Sequence, residues 1–171
     1  MKNIGFFGGC FNPPTIAHIE LIEKAIEEYN LDKVYFVPMG DLYKKESLIP
    51  AFHRVNMLKL AIKSNPKLDI LSTSVNSQKE LQAIDTFKII QKEFSNTNNF
   101  FIMGSDNFEK IKFWKNSEEL LNNYQYIILK RDNTISSSSV REKIKNNKDT
   151  NNLISKDVEQ YILDNKLYKI I

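Results

Sequence analysis

Five short apolar segments alternate along this chain with longer segments in which apolar residues recur every three to four positions. The short segments are rich in Ile, Val, Leu, Phe and Tyr, a composition typical of buried parallel strands. They predict strands at residues 3–7, 33–38, 68–72, 99–103 and 126–129. The alternation predicts an α/β fold, a Rossmann-like open parallel sheet of about five strands with helices on both faces.

The longer segments predict the helices of this fold. The first predicted helix has an apolar face made of Ile19, Ile22, Ile26 and Tyr29. The remaining helices are predicted at residues 51–63, 81–94, 107–122 (less regular), 137–145 and 156–164. No internal repeat or linker divides the chain, so a single domain over residues 1–171 is expected.

Composition narrows the partners that the chain can have. With 42% apolar residues, 26% charged residues and a net charge of +3, it is typical of a globular protein that binds no nucleic acid. No apolar run approaches the roughly 20 residues of a membrane span, and the first residues lack a signal-peptide pattern. We therefore expect a cytoplasmic protein without membrane partners. Cys10 is the only cysteine, and no metal-ligating side chains are predicted.

The loop after the first predicted strand is the most informative segment. It contains Gly8 and Gly9, continues through Phe11 and an Asn-Pro-Pro turn, and reaches His18 where a helix begins. Such a loop brings main-chain N–H groups and a helix N-terminus to one point, which makes a site for phosphate. The imidazole of His18 can reach the same anion. A simple turn with a capping histidine is the structural alternative, but the fixed offsets favour phosphate binding.

A serine-rich segment at residues 135–139 precedes the predicted helix that carries Arg141. Serine is a good N-cap, and hydroxyl and N–H groups at a helix start bind anions. Arg141 falls about one turn into this helix, where its guanidinium can clamp phosphate oxygens. A serine-rich linker is the alternative, but a second anion site in the same chain favours nucleotide binding.

Two further segments follow predicted strands, where parallel sheets bind ligands. Gly104 allows a ligand close to the backbone, Asp106 can accept hydrogen bonds from ribose hydroxyls, and Trp114 can stack on an aromatic ring. Lys44 and Lys45 follow the second strand and are either solvated charges or phosphate ligands.

Together these segments resemble the signatures of bacterial nicotinate mononucleotide adenylyltransferases. The first loop is similar to GxFxPxHxGH, in which Thr can replace the first His, and residues 135–141 are similar to ISSTxIR. Residues 104–114 are similar to GxDxxxxxxxW. The resemblance implies that the chain transfers the adenylyl group of ATP to nicotinate mononucleotide, giving deamido-NAD and pyrophosphate. It also implies Mg²⁺, held mainly by substrate phosphates.

The resemblance assigns a role to each candidate residue. His18 would stabilise charge at the α-phosphorus, either protonated or through one ring N–H, and Thr15 would assist by a hydrogen bond. The implied ATP-binding residues are Gly8, Gly9, Phe11, Gly104, Asp106, Ser136, Ser137 and Arg141. The implied residues for the mononucleotide are Lys44, Lys45, Trp114 and Arg131, and either lysine could contact phosphate.

Three departures from the family pattern keep alternatives open. Thr15 occupies the position of the first histidine, and Ala17 occupies that of a glycine. The pair at 82–83 is Gln-Ala, where the family often has Tyr-Thr. Another phosphate acceptor, such as nicotinamide mononucleotide or phosphopantetheine, is the first alternative. A non-catalytic nucleotide-binding relative is the second. The sequence also leaves open the oligomeric state, a homo-oligomer included, and any role of Cys10.

Overall fold

A computed structural model describes residues 1–130 and 135–169, which contain one parallel sheet with helices on both of its faces. The strands are β1 (Lys2–Gly9), β2 (Lys33–Pro38), β3 (Leu68–Ile70), β4 (Thr97–Gly104) and β5 (Gln125–Leu129). All neighbouring strands pair in parallel, in the spatial order β3-β2-β1-β4-β5. The predicted fold class is therefore confirmed.

The helices lie where they were predicted over most of the described chain, but the described residues contain seven α-helices where six were predicted. They are α1 (Ile16–Glu28), α2 (Ala51–Ile62), α3 (Ala83–Glu93), α4 (Ser105–Lys110), α5 (Ser117–Asn123), α6 (Ser137–Lys145) and α7 (Lys156–Asp164). The last two have the predicted bounds. Among the strands, β1 and β4 extend beyond the predicted residues and β3 is shorter than predicted.

Two helical predictions were wrong. The segment at 107–122 is not one helix, because a 3-10 turn at Ile111–Phe113 follows α4 and Asn116 then takes the left-handed conformation, with φ of 56°. A residue in that conformation cannot continue a right-handed helix, so α5 begins anew after it. Tyr29 does not join the apolar face of α1, because the helix ends at Glu28 and the Tyr29 side chain is 39% exposed.

Each face of the sheet has its own apolar core. On one face, Phe7 and Ile102 pack with residues of α1 and α2, such as Ile22 and Leu58. On the other face, the core joins the sheet to α3 and α5 and includes Phe6, Phe87, Ile90, Phe101 and Leu120. Because side chains alternate along a strand, successive residues of β1 and β4 supply the two cores in turn.

A third apolar cluster joins the C-terminal helices to the rest of the fold. Val140 of α6 and Val158 and Ile162 of α7 pack there with Met57 of α2. Leu167, which follows α7, completes the cluster. This packing places the start of α6 and the residues after α7 beside the loop that follows β1, 120 or more positions away in sequence.

The chain order reverses between β1 and β4. From β1 the chain moves outward to β2 and β3, and then crosses the sheet to β4 on the other side of β1. The loops that leave the carboxyl ends of β1 and β4 therefore run in opposite directions and leave a crevice between them. Open parallel sheets bind ligands at such a point.

Candidate active site

A cavity of about 480 Å³ lies at this crevice. It is lined by the end of β1, by the loops after β2 and β4, and by the first turns of α1, α3 and α6. The predicted site residues that line it are Gly8, Gly9, Phe11, Thr15, His18, Lys45, Trp114, Ser136, Ser137 and Arg141. Two segments separated by more than a hundred residues in sequence thus meet at one cavity.

The loop after β1 turns because Phe11 takes the left-handed conformation, with φ of 49°. The phenyl ring of Phe11 is buried, and its centroid lies 5.6 Å from that of Phe7 and 5.3 Å from that of Phe36. The ring also meets the His18 imidazole edge to face, with centroids 5.6 Å apart. Phe11 therefore anchors the loop in the core under α1 and supports the imidazole from one side.

Thr15 caps α1 and orients His18. The hydroxyl of Thr15 accepts the main-chain N–H of His18 over 3.4 Å, and the main-chain N–H of Thr15 donates to Nδ1 of His18 over 3.0 Å. Thr15 Oγ1 lies 2.7 Å from the same Nδ1. Because a main-chain nitrogen can only donate, Nδ1 is an acceptor here and the proton of the neutral ring is on Nε2.

Ser137 and Arg141 fasten α6 to the β1 loop. The Ser137 hydroxyl donates to the carbonyl oxygen of Pro13 over 2.7 Å, and Arg141 Nη1 donates to the carbonyl oxygen of Asn12 over 2.8 Å. Arg141 Nη2 donates to Ser138 Oγ over 3.1 Å. The two segments predicted to bind anions therefore form one continuous wall of the cavity.

The first turn of α6 presents its N–H groups beside that wall. Ser136 is the N-cap, and its hydroxyl accepts the main-chain N–H of Ser139 over 3.1 Å. The hydroxyl of Ser139 lies 3.2 Å from the main-chain nitrogen of Ser136 and accepts from it. A helix begun in this way carries a partial positive charge at its N-terminus. The cavity thus receives the N-termini of α1 and α6 together with the guanidinium of Arg141, which favours an anionic ligand.

The remaining predicted residues lie at different distances from the cavity. Lys45 lines it, whereas Lys44 lines only a shallow neighbouring depression shared with Lys45. Trp114 is half-buried and packs against the core beside the cavity. Gly104 and Asp106 do not line the cavity, although Met103 and Asn107 next to them do, and Asp106 is exposed. Arg131 lies outside the described residues.

Sequence reasoning missed Arg54, the one charged side chain in the described part of the chain that is wholly buried. Its Nη1 donates to the carbonyl oxygen of Cys10 over 3.0 Å, and its Nε donates to that of Ile49 over 2.9 Å. Among the described residues Nη2 has no hydrogen-bond partner, and it lies 3.5 Å from a carboxylate oxygen of Asp41. Burial lowers the pKa of Arg54, and the Asp41 carboxylate opposes that shift. The sequence signal that could have identified Arg54 is its position four residues before the buried Leu58, on the same face of α2.

Asn12 and Tyr168 were not predicted to take part in the site either. The Asn12 side chain donates to the carbonyl oxygen of Ser47 over 2.7 Å and accepts from the Tyr168 hydroxyl over 2.8 Å. Burial raises the pKa of Tyr168, and the nearby charges of Arg141 and Arg54 act in the opposite direction. The sequence carries no signal for a contact between residues 156 positions apart.

Metal sites and membrane spans are both absent from the described part of the chain. Over residues 1–130 and 135–169, no group of three or more His, Cys, Asp or Glu side chains is placed to hold a metal ion. In the same ranges, no helix combines the length and the apolar character that crossing a membrane requires. The charged side chains found lining the cavity are Lys45, Glu46 and Arg141. A divalent cation there would need phosphate oxygens among its ligands, because these residues do not offer a carboxylate cage.

Known proteins match the chain over nearly its whole length. The cytidylyltransferase-like family matches residues 6–160. The nicotinate-nucleotide adenylyltransferase of Bacillus subtilis is 32% identical, over 99% of this chain and 100% of the relative. A Vibrio parahaemolyticus structure superposes with a TM-score of 0.83 at 21% identity, covering 98% of this chain and 96% of the other.

One further structure was solved with a dinucleotide. The nicotinic acid mononucleotide adenylyltransferase of Plasmodium falciparum, complexed with NaAD, has a TM-score of 0.80 and 23% identity, with 98% of each chain covered. The likeness to the two structures concerns the fold, whereas the likeness to the Bacillus sequence concerns the family. The resemblance inferred from the motifs is thereby confirmed. This chain belongs to the cytidylyltransferase-like family of nucleotidyltransferases and, within it, to the nicotinate-nucleotide adenylyltransferases.

Proposed function

We propose that this chain transfers the adenylyl group of ATP to the phosphate of nicotinate mononucleotide, giving deamido-NAD and pyrophosphate in NAD biosynthesis. Family membership supports this reaction. The observation that carries it is the wall formed by the β1 loop and the start of α6, with His18 and Arg141 beside the same cavity. Such a wall suits a chain of phosphates lying between two helix N-termini.

The chemistry needs positioning and charge stabilisation more than acid–base catalysis. The acceptor phosphate is already an anion, so no side chain has to remove a proton from it. We assign His18 to the α-phosphate, where Nε2–H donates to an oxygen that gains negative charge as the new bond forms. Thr15 acts by holding Nδ1 of that ring and the first turn of α1.

The leaving pyrophosphate belongs at the start of α6. Ser136, Ser137 and Arg141 would bind its oxygens there, Ser137 through its main-chain N–H because its hydroxyl donates to Pro13, with main-chain N–H groups of the β1 loop at Gly8, Gly9 and the neighbouring positions. Mg²⁺, held by phosphate oxygens and water, would neutralise charge on the β- and γ-phosphates when it is bound.

We assign the rest of the cavity to the two nucleosides. Trp114 and Lys45 belong to the mononucleotide side, where Lys45 is better placed than Lys44 because it lines the cavity. Arg131 is proposed for the phosphate of the mononucleotide on resemblance alone. Gly104 and Asp106, which lie beside the cavity without lining it, are proposed for adenosine at the end of β4 on resemblance alone. We also propose that the chain works in the cytoplasm. A homo-oligomer could carry out the same reaction.

Pyrophosphate release tests the proposal. The purified chain is incubated with ATP and Mg²⁺, and with nicotinate mononucleotide, nicotinamide mononucleotide or phosphopantetheine in parallel. We expect turnover with nicotinate mononucleotide and formation of deamido-NAD by chromatography. Turnover with one of the other acceptors would keep the chemistry and replace the substrate. Binding of ATP without release of pyrophosphate in the presence of any of the three acceptors would contradict the proposal and favour a nucleotide-binding relative.

A further inference from the structure

The residues after α7 reach back to the loop that follows β1. The backbone turns twice into the left-handed region there, at Lys166 with φ of 52° and at Tyr168 with φ of 63°. Left-handed backbone is unfavourable for residues other than glycine, so tertiary contacts must hold this turn. Leu167 is buried in the cluster with Met57, and the Tyr168 hydroxyl donates to Asn12 Oδ1 over 2.8 Å.

Asn12 is the point at which three separate segments meet. Its side-chain amide donates to the carbonyl oxygen of Ser47, in the segment that carries Lys45. Its own carbonyl oxygen accepts from Arg141 of α6. Its side-chain oxygen accepts from Tyr168. Because the Ser47 oxygen can only accept, the amide group of Asn12 must face Ser47 and the amide oxygen must face Tyr168.

The Ser47 carbonyl oxygen therefore fixes which way the Asn12 amide points, and the Tyr168 hydroxyl donates to the amide oxygen and holds the side chain in that orientation. A tyrosine hydroxyl is protonated at neutral pH, and burial raises the pKa of Tyr168 further from that range, so the phenol is available as a donor. Tyr168 is not among the residues that line the cavity, whereas Asn12 is. Its hydrogen bond to Asn12 therefore connects Tyr168 to the cavity, and the charge of Arg141, which also lines the cavity, lies nearby.

We propose that Tyr168 is a positioning residue for the nucleotide site, acting through the Asn12 side chain. It sets the β1 loop relative to α6 and to the segment that carries Lys45, before any ligand is bound. The effect of Tyr168 on catalysis rests on the proposed function, whereas its effect on the β1 loop rests only on the contacts of Asn12. The C-terminal turn thus belongs to the active-site architecture as well as to the core.

Two matched tyrosine variants test this proposal. Tyr168→Phe removes the hydroxyl that contacts Asn12. Tyr161→Phe removes a comparable hydroxyl that contacts His53 and Asn56, on the α2–α7 side of the molecule. We expect Tyr168→Phe to lower kcat/KM by about three- to tenfold, as loss of one hydrogen bond does, and Tyr161→Phe to lower it by less than about twofold.

A measurement without substrates tests the same idea independently of catalysis. Hydrogen exchange followed by mass spectrometry should show faster exchange in peptides covering residues 8–18 in Tyr168→Phe, and no change there in Tyr161→Phe. In an Asn12→Ala background, Tyr168→Phe should add no further loss of activity. Equal effects of the two tyrosine variants, in proportion to their loss of Tm, would show a merely structural role and overturn the proposal. Unchanged exchange and activity in Tyr168→Phe would also overturn it.

An inactive wild-type chain would contradict the proposed function alone. The exchange experiment would still decide the role of Tyr168, because it needs neither ATP nor an acceptor.

Discussion

Two glycines near the cavity provide a test in which binding and stability should respond in opposite ways. A Cβ built on Gly8 meets no atom within 4 Å, and Gly8 lines the cavity. A Cβ built on Gly40 clashes with the carbonyl oxygen of Ser74, where the loops after β2 and β3 cross. We therefore expect Gly8→Ala to impair nucleotide binding and Gly40→Ala to impair folding.

The structure also indicates the sizes of these effects. At Gly40 the opposing atom is main chain and cannot rotate away, so we expect a loss of about 1–3 kcal/mol and a Tm lower by about 2–12 °C. At Gly8 the backbone is not in the left-handed region, so alanine restricts mainly the unfolded chain. The Tm should stay unchanged or rise by up to about 4 °C.

The affinity for ATP should fall more in Gly8→Ala than in Gly40→Ala, the reverse of the effect on Tm. If the phosphates of ATP lie against the β1 loop, the methyl group of Gly8→Ala occupies space that they need. Overpacking of about 1–3 kcal/mol corresponds to an affinity for ATP that is lower by about 5- to 150-fold. The variant remains folded, so the loss can be assigned to the site.

Thermal unfolding by circular dichroism and ATP titration by calorimetry, without an acceptor, measure both effects on each variant. Wild-type affinity for ATP in Gly8→Ala would refute the placement of phosphates at the β1 loop. A wild-type Tm in Gly40→Ala would refute the close crossing of the two loops.

Three further substitutions have specific expected outcomes. His18→Ala should lower kcat by about 10²- to 10³-fold and the Tm by only about 2–4 °C, since the cap of α1 loses one acceptor, and pyrophosphate release near the wild-type rate would exclude His18 from the reaction. Arg54→Met leaves the carbonyl oxygens of Cys10 and Ile49 without their donor, so urea unfolding should show a loss of about 1–4 kcal/mol, and unchanged stability would contradict this. Lys166→Gly relieves the left-handed backbone and should raise the free energy of unfolding by about 0.5–1 kcal/mol; a lower Tm would argue against strain there.

The helices were predicted well where local signals were strong. The bounds of α6 and α7 match because Ser136 and Ser155 are N-caps whose hydroxyls accept main-chain N–H groups, a signal carried by a few adjacent residues. The prediction of one helix at 107–122 failed because the start of a new helix there depends on Asn116. Asparagine tolerates the left-handed conformation without requiring it.

The candidate site was predictable where a few adjacent residues carry the signal. Local chemistry identified the β1 loop and the start of α6, since glycine, serine and arginine at a helix start favour anions. Arg54 was not identified, because its role depends on which side of α2 faces the β1 loop. Thr15 was predicted to assist His18 by a hydrogen bond, and its hydroxyl lies 2.7 Å from Nδ1 of His18 in a side chain only 1% exposed.

The sequence by itself determined the alternation of strands and helices, the two segments predicted to bind anions and the family of this chain. These follow from periodicity and from neighbouring residue types, which act over a few positions. Only the tertiary structure decided that Asn12 meets Ser47, Arg141 and Tyr168, and that Arg54 is buried behind the β1 loop. Such contacts join residues as many as 156 positions apart, and they exist because sheet order and helix packing bring their side chains together.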